Sequence, residues 1–192
     1  MNTNVSAFRF MFPKAGAVLL ALVCAGCQVF GESSAQKERD RLQASLEEFS
    51  KLPGDQLTDQ PYIKGRVLVV TRKPDMPFLT MDQEPLPYPD DERAKELLAQ
   101  TPEQVGTVVV LNYSKEKAGT LKIVDGSGGV NAYREVCELI VIDRSIPAVI
   151  HRKTFRGRDP SSTTTIRETQ GEILTSVDLT ELRTYIMKIP SR

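Results

Sequence analysis

Asn131-Ala132-Tyr133-Arg134-Glu135-Val136-Cys137-Glu138-Leu139-Ile140-Val141-Ile142-Asp143 runs through Arg144-Ser145-Ile146-Pro147 into Ala148-Val149-Ile150-His151-Arg152-Lys153-Thr154-Phe155. Both flanks are rich in β-branched and aliphatic residues, and the connection holds a proline among polar residues. Two strands with so short a link form an antiparallel hairpin. If positions paired across it sum to 290, Cys137 faces Lys153 and His151 faces Leu139. Cys137 and His151 then sit diagonally on one face, and a slip of one residue would part them.

Outward from the hairpin, Lys117–Val124 reads as a strand with Leu121 and Ile123 on one face. Asp125-Gly126-Ser127-Gly128-Gly129 interrupts it as a turn. It lacks the Lys-Ser/Thr of a phosphate loop and is followed by a strand rather than a helix. Val67-Leu68-Val69-Val70 and Val108-Val109-Val110-Leu111 are unbroken apolar runs suited to strands covered on both faces. Between them, Pro74, Pro77, Pro85, Pro87 and Pro89 predict an extended surface loop over 74–89. A short helix is expected over 90–100, with Ala94, Leu97 and Leu98 on its buried side and a capped turn at 101–104. Asp90-Asp91-Glu92 belongs at its start, where acids complement the helix dipole. Residues 157–172 read as a mobile polar loop.

Two helices close the ends. Ser33 and Gln36 have the spacing of a capping box, and Leu42, Leu46, Phe49 and Leu52 recur at helical intervals before Pro53-Gly54. This helix, 34–53, either packs on its own domain or serves as a stalk. At the other end Asp178 caps a helix and Glu181 completes the box. Val177 staples onto Leu182, and Leu179, Leu182, Tyr185, Ile186 and Ile189 form the buried stripe. Strands that follow one another without crossover helices predict an α+β fold. The expectation is a largely antiparallel sheet of four to five strands, with an N-terminal, a short middle and a C-terminal helix. One domain over 60–190 accommodates it.

The chain has 192 residues, with 25 basic and 25 acidic side chains. Balanced charge offers no electrostatic footprint for nucleic acid. Arg9 and Lys14 are the only charges before Glu32, and Ala15–Gly26 is apolar and small. A basic start, a short apolar core and a small-residue exit form an export signal, too short to span a bilayer. The exit, Cys24-Ala25-Gly26-Cys27, resembles a bacterial lipoprotein signal, with Cys24 in the place of the usual Leu. That resemblance implies cleavage after residue 26 and acylation of Cys27, the membrane being held through acyl chains. It also implies a tether at 27–33. Gln28 after the cysteine implies sorting to the outer membrane, facing the periplasm. Met11 is a second possible start. Without residues 1–26 the chain carries 23 basic and 25 acidic residues and two cysteines, Cys27 and Cys137. A lipidated Cys27 leaves Cys137 without a disulfide partner, so stability rests on packing.

Chemistry-bearing clusters are few. Cys137 with His151 is the one nucleophile pair, yet an apolar strand makes Cys137 a small core residue. A Cys/His envelope hydrolase is therefore the weakest reading. One histidine cannot build an ordinary zinc site, and neither a metal nor a cofactor is expected. Arg134, Arg152, Arg156 and Arg158 are the candidate anion-binding residues, with cross-strand pairing to Glu135 or Glu138 as the structural alternative. Ala132-Tyr133-Arg134, Cys137, Val141-Ile142-Asp143 and Thr154–Pro160 together resemble a pattern in uncharacterised bacterial exported proteins, which implies no activity. The leading expectation is a lipid-anchored envelope protein that binds another envelope protein or supports assembly without catalysis. The alternative is a module for anionic small molecules or glycans.

Overall fold

The structure is a computed structural model that describes residues 33–76, 79–81, 96–122, 129–160 and 172–192. The leader, Cys27, Asp90-Asp91-Glu92 and the turn at 125–128 lie outside the described residues. So do most of the proline-rich loop and the middle helix, of which Glu96 and Leu97 are helical.

Among the described residues six strands form one sheet: β1 (Arg66–Arg72), β2 (Thr80–Met81), β3 (Val105–Lys122), β4 (Gly129–Asp143), β5 (Ala148–Arg156) and β6 (Ile173–Thr175). Their order is β2-β1-β3-β4-β5, with β6 paired to β4 beyond the end of β5. The α+β class holds, but the sheet is mixed rather than largely antiparallel. β1 runs parallel to β3 and β6 parallel to β4. The cause is the long connection over 73–104, which returns the chain to its starting end before β3 begins, as a parallel neighbour requires. Within it, Thr80 and Met81 still pair with Thr71 and Val70, so the proline-rich segment does hold a short strand. Two expected runs, around 108–111 and, as far as it is described, 117–122, are parts of the single long β3; Ile123 and Val124 lie outside the described residues. The polar stretch over 157–172 is followed at once by β6, a strand the sequence did not signal.

Alternation along the strands splits the core in two. Val67, Val69, Val109, Leu111, Leu139 and Val141 face one side, where α3 (Leu179–Lys188) lays Leu182 and Ile186. Leu68, Val70, Val108, Val110, Ile140 and Ile142 face the other, covered by α1 (Ser34–Ala44) and α2 (Leu46–Phe49) through Leu42, Leu46 and Phe49. Each such side chain, removed from water, stabilises the fold by roughly 1.5–3 kcal/mol.

The helix ends follow local chemistry. Ser33 Oγ accepts from Gln36 N at 3.2 Å, and Asp178 Oδ1 accepts from Thr180 N and Glu181 N at 2.9 and 3.2 Å. Gln36 turns its amide to Asp40 rather than back to the cap. The expected continuous helix over 34–53 breaks after Ala44, where Ser45 Oγ donates to Arg41 O at 2.9 Å and competes with the helical ladder. Beyond the break Leu52 leaves the stripe and is 44% exposed; Leu179, in the first turn of α3, is likewise 47% exposed.

Candidate functional site

The β4–β5 hairpin closes at Asp143↔Ala148, and Cys137 pairs with Phe155 rather than Lys153. Pro147 has no N–H to give to a ladder, which excludes it from the closing pair. Ile150 then enters as an extra residue where the register shifts between Val141 and Ile142. His151 consequently lies opposite Val141. It shares a face with Cys137 but sits four positions along the strand, about 13 Å away. Burial pushes the Cys137 thiol up to about 12, against a hydrogen bond from Tyr113. His151 is engaged elsewhere: its Nε2 lies 2.7 Å from Tyr185 Oη of α3. Burial, then the charge of Lys153, holds its imidazole below the ordinary value. Which of the two donates depends on which ring nitrogen carries the proton. Lys153 Nζ lies 3.7 Å from the centroid of the same tyrosine ring, so the cluster packs α3 onto the hairpin. A thiol this buried and this far from the imidazole gains nothing from it.

The opposite face carries the arginines. Arg152, Thr154 and Arg156 share it with Arg134, Glu138 and Glu116, as the registers of β3, β4 and β5 require. Arg134 is brought between Glu116 and Asp159, its Nε 3.0 Å and Nη1 2.7 Å from their oxygens. Arg156 reaches the same Glu116 at 3.7 Å. Arg152 lies between Glu138 and Asp55, both at 3.0 Å. The Arg134 hydrogen bond holds the Glu116 carboxyl below the usual carboxylate range. Arg158 is not part of this ladder; it is exposed, and its carbonyl accepts from Thr175 Oγ1 of β6.

Of the acids expected opposite these arginines, Glu138 is used and Glu135 is not. Glu135 accepts Val177 N at 3.0 Å through its carboxylate and Gly157 N at 2.8 Å through its carbonyl, joining β4 to the entry of α3. The missed partners, Glu116, Asp55 and Asp159, come from three other segments. Glu116 alone had a usable signal, since it lies directly opposite Arg134 once β3 and β4 are paired. Among the described residues no three His, Cys, Asp or Glu side chains gather as a metal set, and no helix is long and apolar enough to cross a membrane.

No family model matches the chain, and no curated protein matches it. Among solved structures, the Xanthomonas campestris protein XCC0632, assigned to DUF330, is similar over 71% of this chain and 90% of its own, at 12% identity and a TM-score of 0.26. A likeness that slight carries neither fold nor function across.

Proposed function

We propose that the chain is a lipid-anchored cell-envelope protein, held at the outer membrane through acyl chains on Cys27 and facing the periplasm, whose α+β domain binds another envelope protein without catalysis. The lipoprotein-like exit at Cys24–Cys27 supports the anchoring. The observation that carries the binding role is the ladder of opposite charges, Asp55–Arg152–Glu138 and Asp159–Arg134–Glu116–Arg156, ordered across one sheet face. Exposed ion pairs contribute about 0–1 kcal/mol each to stability, while ordering long side chains costs entropy. A fixed alternation of charge gives a partner its orientation and its speed of encounter.

Crosslinking in intact envelopes tests this. The native chain should capture a defined partner, and the triple variant Arg134→Gln, Arg152→Gln, Arg156→Gln should lose it while melting within a few degrees of the native protein. Equal capture by both, or no defined partner for the native chain, contradicts the proposal.

A further inference from the structure

β1 stops at Arg72, opposite Asn112, while β3 continues past it. Pro74 follows two residues later and turns the chain away, since it cannot extend a ladder. A cleft of about 550 Å³ opens there, between the end of α2 and the strand ends. Lys51, Arg72 and Lys73 line it, with Glu47 as the one acid among its lining residues. Among the described residues none of these three cations has a carboxylate within ion-pair distance. Arg134, Arg152 and Arg156, on the same sheet face, each have one or two. Asn112 also lines the cleft, and its side-chain oxygen is buried without a hydrogen-bond partner.

We propose that this cleft is a binding site for a phosphate group carried on a small or lipid alcohol. Lys73 Nζ lies 5.5 Å from the centroid of the Tyr113 ring, and Lys51 and Arg72 add two positive charges without a carboxylate; an anion among them relieves their repulsion. A phosphate dianion offers enough oxygens for all of them at once. The guanidinium fork of Arg72 takes two, and the lysines act as point charges. The Asn112 NH₂ donates to another, while its buried oxygen takes no part. Met76 and Leu79 on the cleft wall accommodate the apolar part of the alcohol. A free phosphate monoester and the monoester headgroup of phosphatidic acid share this chemistry.

Lysine acetylation followed by mass spectrometry separates the two sources. The full chain is held in phosphatidylcholine vesicles. It is labelled with added glycerol phosphate, with phosphatidic acid mixed into the bilayer, or with sodium chloride at matched ionic strength. Labelling of Lys51 and Lys73 should slow at least fivefold, saturably, in one of the phosphate arms and not with chloride; exposed Lys37 should be unaffected. Protection by glycerol phosphate assigns a free ester, and protection by phosphatidic acid alone assigns a headgroup. Arg72→Gln and Asn112→Asp should each abolish the protection with an unchanged melting temperature. Absence of saturable protection in both arms overturns the proposal, as does protection that survives Arg72→Gln.

Discussion

Asp143 closes the hairpin from inside the protein, and removing its carboxylate measures how much that closure contributes. The side chain is 1% exposed. Its Oδ1 accepts from Ser145 N and Ser145 Oγ, both at 2.7 Å, and its Oδ2 accepts from Tyr62 Oη at 2.8 Å. Lys64 Nζ donates to Ser145 Oγ at 2.8 Å and adds a cation to the cluster. Burial pushes the Asp143 carboxyl up, but the bonds from Ser145 and Tyr62 and the charge of Lys64 outweigh it, leaving the group below its ordinary value. Asp143→Ala strands the half-buried Tyr62 hydroxyl, at about 1–3 kcal/mol, and leaves the N–H of the exposed Ser145 to water. The expected loss is about 2 kcal/mol, which for a domain of this size lowers Tm by roughly 4–8 °C. Asp143→Asn keeps an acceptor for Ser145 and should lose only about 1 kcal/mol. Because the folded pKa is depressed, the ionised group's contribution is whole above the unfolded value and disappears as pH falls through the folded one. The gap between native and Asn variant, read from urea midpoints, should therefore be widest at neutral pH and narrow below about pH 4. An Ala variant within about 1 kcal/mol of the native protein would refute the reasoning, and so would a native-to-Asn gap that does not narrow in acid.

Three further outcomes follow from the core and the strand crossing. With a thiol pKa of about 12, Cys137 should resist a thiol-reactive probe in the native protein and label fully in denaturant; rapid native labelling would contradict its burial. Leu182→Ala, which removes a side chain 1% exposed between α3 and the sheet, should lower stability by about 2–5 kcal/mol in urea unfolding. A smaller loss would mean α3 is not docked as described. Gly106 is the extra residue where β1 and β3 shift register, and a Cβ there would overlap the Lys64 carbonyl. Gly106→Ala should cost about 1–3 kcal/mol as the backbone is forced apart, and a neutral result by thermal melting would show that the crossing is looser than drawn.

What was legible in the chain was what is decided locally. Ser33 and Asp178 cap their helices because a short oxygen-bearing side chain reaches amide groups two or three residues ahead. The hairpin at 144–147 follows from strand-forming flanks around a proline. The direction of β1 against β3 was not legible, because it is set by the path of 73–104 and not by any residue within either strand. The hairpin register differs by two positions for a local reason of a different kind: Pro147 displaces the closing pair by one residue and the Ile150 bulge adds a second, and the two shifts together restore the alternation that either alone would reverse. Cys137 and His151 thus kept their common face but lost their proximity. The arginines were found and their partners were not. Asp55 is 97 positions from Arg152, and no spacing rule within the hairpin reaches that far. The phosphate cleft had no sequence signature, since Lys51, Arg72, Lys73 and Asn112 come from three segments that meet only when β1 ends beside a longer β3.

Anchoring through Cys27 is the claim on which location and partner both depend, and the intact mass of the protein taken from its own membrane tests it most directly. A mass equal to residues 27–192 plus a diacylglyceryl group and one further acyl chain is the predicted result. A mass that retains residues 1–26, or that shows a bare Cys27, would contradict it.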